Sequence, residues 1–225
     1  MVALDNHAIF GSVPRLRVNL APQVAGIALV SVAVVLGAIV FRGFAENGFR
    51  LGSQLAWRYT FFVFFAAMVV EPACRLTARL VPDFAWPESL SRKLFWGFCA
   101  SYGVYLLSVF LPNVIHLSGG ATLMVVFGAS VALVMALAVA PLQRHNSAPL
   151  IGERTRRTAL GIAMIYFWSC YSLMALARIS GPHRPDAFYD ISISLMLVAL
   201  LLRFADRWFS DRDNPETGYM EAAPV

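Results

Sequence analysis

Six apolar stretches, each close to the length of a bilayer crossing, are separated by short polar segments at approximately 21–41, 53–71, 94–111, 120–142, 158–178 and 187–205. A helix needs about 20 apolar residues to cross the hydrocarbon core, so each stretch predicts a membrane-spanning helix. The expected fold class is an all-α integral membrane protein, a bundle of six transmembrane helices. The first stretch reads as a retained helix rather than a secretory signal. Its polar lead, 1–20, is long and its apolar run has full spanning length, whereas a signal core is about 7–15 residues. The chain then divides into a polar segment 1–20, a membrane domain 21–208 and a tail 209–225. That tail carries Asp211, Asp213, Glu216 and Glu221, and its polarity predicts disorder.

Charge sets the expected orientation. Arg75, Arg79, Arg92 and Lys93 separate the second and third stretches, and Arg144, Arg154, Arg156 and Arg157 separate the fourth and fifth. Between the third and fourth, 112–119 has no Lys or Arg. The positive-inside rule then places both basic loops and the N- and C-termini in the cytoplasm. Arg15, Arg17, Arg207 and Arg212 agree; Arg42, Arg50, Arg178 and Arg184 are the outside minority. The prolines of 181–185 predict a tight external loop. Trp57, Trp86, Trp96 and Trp208 fall near the predicted span ends, as an aromatic belt requires.

Composition supports the same class and removes others. With 59% hydrophobic and 14% charged residues and a mean hydropathy of +0.66, the chain is too apolar for a soluble domain. The net charge of +5 is explained by topology and points to no nucleic-acid partner. No zinc-protease, phosphate-loop or nucleophile-elbow motif occurs. Cys74, Cys99 and Cys170 are too dispersed for a disulfide framework and read as small packing residues.

Charges at bilayer depth need partners or roles, since each costs about 2.5–3.5 kcal/mol on insertion scales. Arg58 and Asp190 lie at a similar depth toward the outside, and Glu71 and Arg203 toward the cytoplasm. If spans two and six are neighbours, Arg58–Asp190 and Glu71–Arg203 form two ion pairs joining them. The competing reading has Arg58 and Arg203 snorkelling separately to the two interfaces. Gly128, Ala132, Ala136 and Ala140 form a small-residue row on span four, suited to internal packing or to a dimer. Tyr102, Tyr105, Tyr166, Trp168, Ser169, Tyr171 and Ser172 supply polar groups on spans three and five. Tyr166, Ser169 and Cys170 share one face. Interhelical hydrogen bonding is the simplest use of this cluster; a lipid or quinone pocket is the alternative.

Several short signals have the look of a family. They are Ala56-Trp57-Arg58 opening span two, Pro72 with Arg75-Leu76 closing it, and Ser91-Arg92-Lys93 leading into span three. Gly152-Glu153-Arg154, Arg156-Arg157 and Ile165-Tyr166-Phe167-Trp168 complete the set around span five. Over about 50–205 the chain resembles the ferric-reductase-like transmembrane domain, and within it the haem-binding membrane subunit of the bacterial methionine-sulfoxide reductase system. The resemblance implies six spans, a bacterial cytoplasmic membrane and transmembrane electron transfer through haem. It also implies histidines near Tyr105 on span three and within 158–161 on span five, where this chain has none. His7, His116, His145 and His183 lie outside the spans, and no two can face each other across a haem. The expectation is therefore a haemless accessory subunit, or one that binds a lipid or quinone. One alternative is an electron-transfer subunit with atypical haem ligation by Tyr105, His116 or Cys170; another is a small transporter or sensor using Arg58 and Asp190.

Overall fold

The structure is a computed structural model that describes residues 22–44, 46–81, 89–113, 119–139, 152–181 and 186–213. Among these residues there are six helices and no strand: α1 (Pro22–Arg42), α2 (Glu46–Leu80), α3 (Ser89–Asn113), α4 (Gly119–Val139), α5 (Glu153–Ile179) and α6 (Ala187–Asp213). Among the described residues five of them, α1, α2, α3, α5 and α6, are long and apolar enough to cross a membrane. Within α4, 21 residues long, the qualifying apolar stretch among the described residues is Val126–Leu137.

The start of α1 and the turn between α1 and α2 follow directly from the sequence. Pro22 opens α1, a position where its missing N–H is not needed. Gly43, with φ of 87°, turns the chain between α1 and α2 in a conformation that side chains resist. A Cβ on Gly48 would run into the Gly43 carbonyl oxygen, so that turn closes only on glycine. Helix α2 has 35 residues and is thus about 52 Å long. That exceeds the hydrocarbon thickness of about 30 Å, so α2 projects beyond it. Pro72 does not close the helix, as its position at the end of the apolar run suggests; α2 continues through it to Leu80. Likewise α6 runs on through Ser210 to Asp213, into the segment expected to be disordered.

Helices α2 to α6 form a closed ring in which each packs on the next and α6 returns to α2. Helix α1 lies outside the ring, across α2 and α3. Tyr59 ties it there by donating to the Ile27 carbonyl at 3.1 Å. The interior is apolar and aromatic, built on Phe61, Phe64, Phe98, Phe167, Met135 and Met196. Outward positions such as Leu29, Phe62, Leu133, Ile165, Leu173 and Leu201 remain exposed large hydrophobics. Contiguous exposure of that kind is unfavourable in water and suited to acyl chains. The protein is a multi-pass helical membrane protein.

Candidate functional site

The ring interior is filled by side chains. Phe64 and Phe98 are fully buried, with ring centroids 5.0 Å apart, and Phe98 meets Phe167 edge-on at 4.8 Å. Tyr171 stacks on Phe64 at 5.5 Å and lies 4.3 Å from Trp57, so rings from α2 and α5 meet across the ring. Tilted and edge-on pairs at such distances are favourable beyond their buried area. The hydroxyl of Tyr171 donates to Thr60 Oγ1 at 3.0 Å, which donates to the Trp57 carbonyl at 2.8 Å. That short relay satisfies two buried hydroxyls. Trp57, expected in an interfacial belt, is instead part of the interior wall, in contact with both Tyr105 and Tyr171. Trp208, by contrast, is exposed.

The polar candidates of spans three and five come together here. Tyr102 is their hub, with Tyr105, Tyr166 and Cys170 as its interacting neighbours. Tyr166 packs on Phe127 of α4 at 5.2 Å, beside the lipid-facing surface. Trp168 turns the other way and donates from Nε1 to the Met196 carbonyl of α6 at 3.3 Å. Ser172 buries its hydroxyl without a partner among the described residues. Two members of the small-residue row face inward: a Cβ on Gly128 would lie 2.6 Å from the Tyr102 hydroxyl, and Ala132 is buried. At these two positions the face packs within the chain; Ala136 is half-buried and Ala140 lies outside the described residues.

Charged groups join α2 to α6 at both ends, as expected, but through different residues. At one end Arg58 pairs with Asp186, one turn before Asp190. Asp186 also accepts the Phe188 backbone N–H at 3.3 Å, and the Arg58 guanidinium lies 5.0 Å from the Phe188 ring centre. The Phe188 N–H, then the hydrogen bond and charge of Arg58, hold the Asp186 carboxyl below its ordinary 3.8. Asp190 is exposed and makes no ion pair among the described residues, so the Arg58–Asp190 pair is corrected to Arg58–Asp186.

At the other end the expected Glu71–Arg203 pair is replaced by a four-residue cluster. Arg75 Nη2 donates to Glu71 Oε1 at 2.6 Å, one turn back on α2, and Nη1 to Asp206 Oδ2 at 3.3 Å across the interface. Arg203 lies in the electrostatic field of both acids. Its Nε, however, donates to the Met68 carbonyl at 3.2 Å. Pro72 explains that contact. Proline has no N–H, so the carbonyl four residues earlier, that of Met68, loses its helical donor. In a membrane such a carbonyl is satisfied by a neighbouring helix, and Arg203 of α6 takes that part. The two cations and two anions balance. With its side chain 57% exposed, Arg75 forms surface-like pairs worth about 0–1 kcal/mol. The charged hydrogen bond to a buried carbonyl is the stronger term, at about 1.5–3 kcal/mol.

The fit to haem can be judged from these side chains. All four histidines, His7, His116, His145 and His183, lie outside the described residues, and none of the six helices contains one. Tyr105 of α3 contacts Trp57 and Tyr102, and Tyr102, Phe98, Phe167 and Tyr171 fill the space between α3 and α5 in ring-to-ring contact. A porphyrin plate does not fit between them. The cysteines Cys74, Cys99 and Cys170 are unpaired thiols, and no cluster of three metal-binding side chains exists among the described residues. Searches of protein families, curated proteins and solved structures find no match to this chain.

Proposed function

We propose that this chain is a six-span protein of the bacterial cytoplasmic membrane, with both termini in the cytoplasm, built on a ferric-reductase-like frame. It works as an accessory subunit without haem of its own and holds a lipid or quinone. The observation that carries this reading is the aromatic filling of the α2–α6 ring, where Phe64, Phe98, Phe167 and Tyr171 pack against one another. A ferric-reductase-like frame that carried electrons would need a cofactor slot between its helices, and rings packed this closely support a chain without one. The basic segments around Arg75, Arg92, Lys93 and Arg154 support the orientation, which puts the Glu71–Arg203 end of α2 and α6 at the cytoplasmic interface.

The amphiphile would lie against α4 and α5, where the exposed ring of Phe127 meets Tyr166 edge-on and Cys170 follows one turn later. This surface offers the exposed Phe127 ring with the Tyr166 ring beside it, groups against which a quinone ring or acyl chain would pack. Organic extraction and mass spectrometry of the protein purified in mild detergent test it. Retention of one quinone or lipid species, lost on Phe127→Ala, is the expected result. Extraction of only the bulk lipid mixture, unchanged by Phe127→Ala, would remove the amphiphile from the account.

A further inference from the structure

At the Pro72 end of the α2–α6 interface two complementary polar atoms remain unsatisfied. Arg203 Nη2, a donor, and Asp206 Oδ1, an acceptor, are both fully buried and without a hydrogen-bond partner among the described residues. They sit three residues apart on α6, hence on one face. Asp206 is itself only 9% exposed, and its other oxygen is engaged by Arg75. The Met68 carbonyl beside them accepts from Arg203 Nε and keeps a second lone pair, because residue 72 brings no N–H.

We propose that this joint is a binding site for internal water. A group placed there must accept from Arg203 and donate to Asp206. An anion is repelled by the carboxylate and a cation by the guanidinium, so a small neutral donor–acceptor is required. Water is the smallest such molecule. Buried waters make about three hydrogen bonds to otherwise unsatisfied polar groups, and Arg203 Nη2, Asp206 Oδ1 and Met68 O supply three. The role is also one that ordered water takes at proline positions in membrane helices. The site therefore joins α2 to α6 through solvent as well as through direct contact.

Radiolytic hydroxyl labelling in nanodiscs, read by mass spectrometry, tests this with controls inside the same chain. Met68, Met135 and Met196 are all buried, at 4%, 0% and 1% exposure. Only Met68 adjoins the proposed site. Water bound there generates radicals in place, so Met68 should oxidise faster than Met135 and Met196. An Arg203→Leu/Asp206→Leu double variant should bring Met68 down to their rate. Equal rates for the three methionines in the wild type would overturn the proposal, as would fast oxidation of Met68 that persists in the folded double variant. Should the double variant fail to fold, the wild-type comparison decides alone.

Discussion

Replacing Arg203 with Met removes the donor that α6 supplies to the Met68 carbonyl, and the consequence can be worked out from the helix itself. The lost contact is a charged hydrogen bond to a carbonyl that Pro72 has already deprived of its helical partner. Such bonds contribute about 1.5–3 kcal/mol, and an orphaned buried acceptor costs a similar amount. Asp206 also loses a neighbouring positive charge, so R203M should destabilise by about 2–4 kcal/mol. Restoring the N–H with Pro72→Ala lets the backbone of residue 72 serve the same carbonyl. In that background the cost of R203M should fall by about 1 kcal/mol or more, a coupling well outside the additivity expected of independent sites. Reversible denaturation in mixed detergent micelles, followed by circular dichroism, measures all four corners of the cycle. Additive costs, equal within about 0.5 kcal/mol, would refute the idea that Arg203 stands in for the missing proline donor.

Other outcomes follow from neighbouring parts of the structure. Gly128→Ala places a Cβ 2.6 Å from the Tyr102 hydroxyl, on a stiff side chain, and should cost about 1–3 kcal/mol, read as a lowered Tm. Phe64→Ala empties the centre of the aromatic core and should cost about 3–5 kcal/mol in the same assay. The Asp186 carboxyl is held below its ordinary value of 3.8 by the Phe188 N–H and by Arg58. Its contribution is therefore fully present above that value and is lost as pH falls through the depressed one. The Tm difference between wild type and Asp186→Asn should be constant at neutral and mildly acidic pH and shrink only below the ordinary carboxylate range. A difference that changes between neutral and mildly acidic pH would contradict the assignment.

The helices were legible in the sequence because the apolar runs are long, and their centres agree closely with α1, α3, α4 and α5. Their ends were less so. Hydropathy detects only the lipid-facing part of a helix, which is why 53–71 became Glu46–Leu80 and 187–205 became Ala187–Asp213. The pairing of α2 with α6 was likewise readable from charges at matching depths. Which acid takes the pairing was not, because Asp186, just before α6, and Asp190, in its first turn, lie four residues apart and the charge pattern does not separate them. Asp206 escaped notice altogether, although Arg203 three residues earlier and Glu71 four before Arg75 are the spacings of helix-surface pairs. Pro72 carried the clearest unused signal. A proline inside a long apolar helix frees the carbonyl four residues back, and a polar group on a neighbouring span is needed to meet it.

The aromatic interior also changes the meaning of the tyrosines. Read along the chain, Tyr102, Tyr105, Tyr166 and Tyr171 are polar residues in want of hydrogen bonds. In three dimensions they are mainly rings, packed against Trp57, Phe64, Phe98 and Phe167. Tyr171 also reaches a side-chain acceptor on Thr60, and Tyr166 a side-chain hydrogen bond with Cys170. Tyr102 and Tyr171 thus fill the ring interior, with Tyr105 packed against them.

The absorption spectrum of the detergent-purified protein from haem-replete cells, recorded before and after dithionite, tests the central claim most directly. The account predicts no Soret band and no change on reduction. A Soret band with sharpened α and β bands in the reduced protein would contradict it, since the rings between Tyr105 and Cys170 would then have to part around a porphyrin.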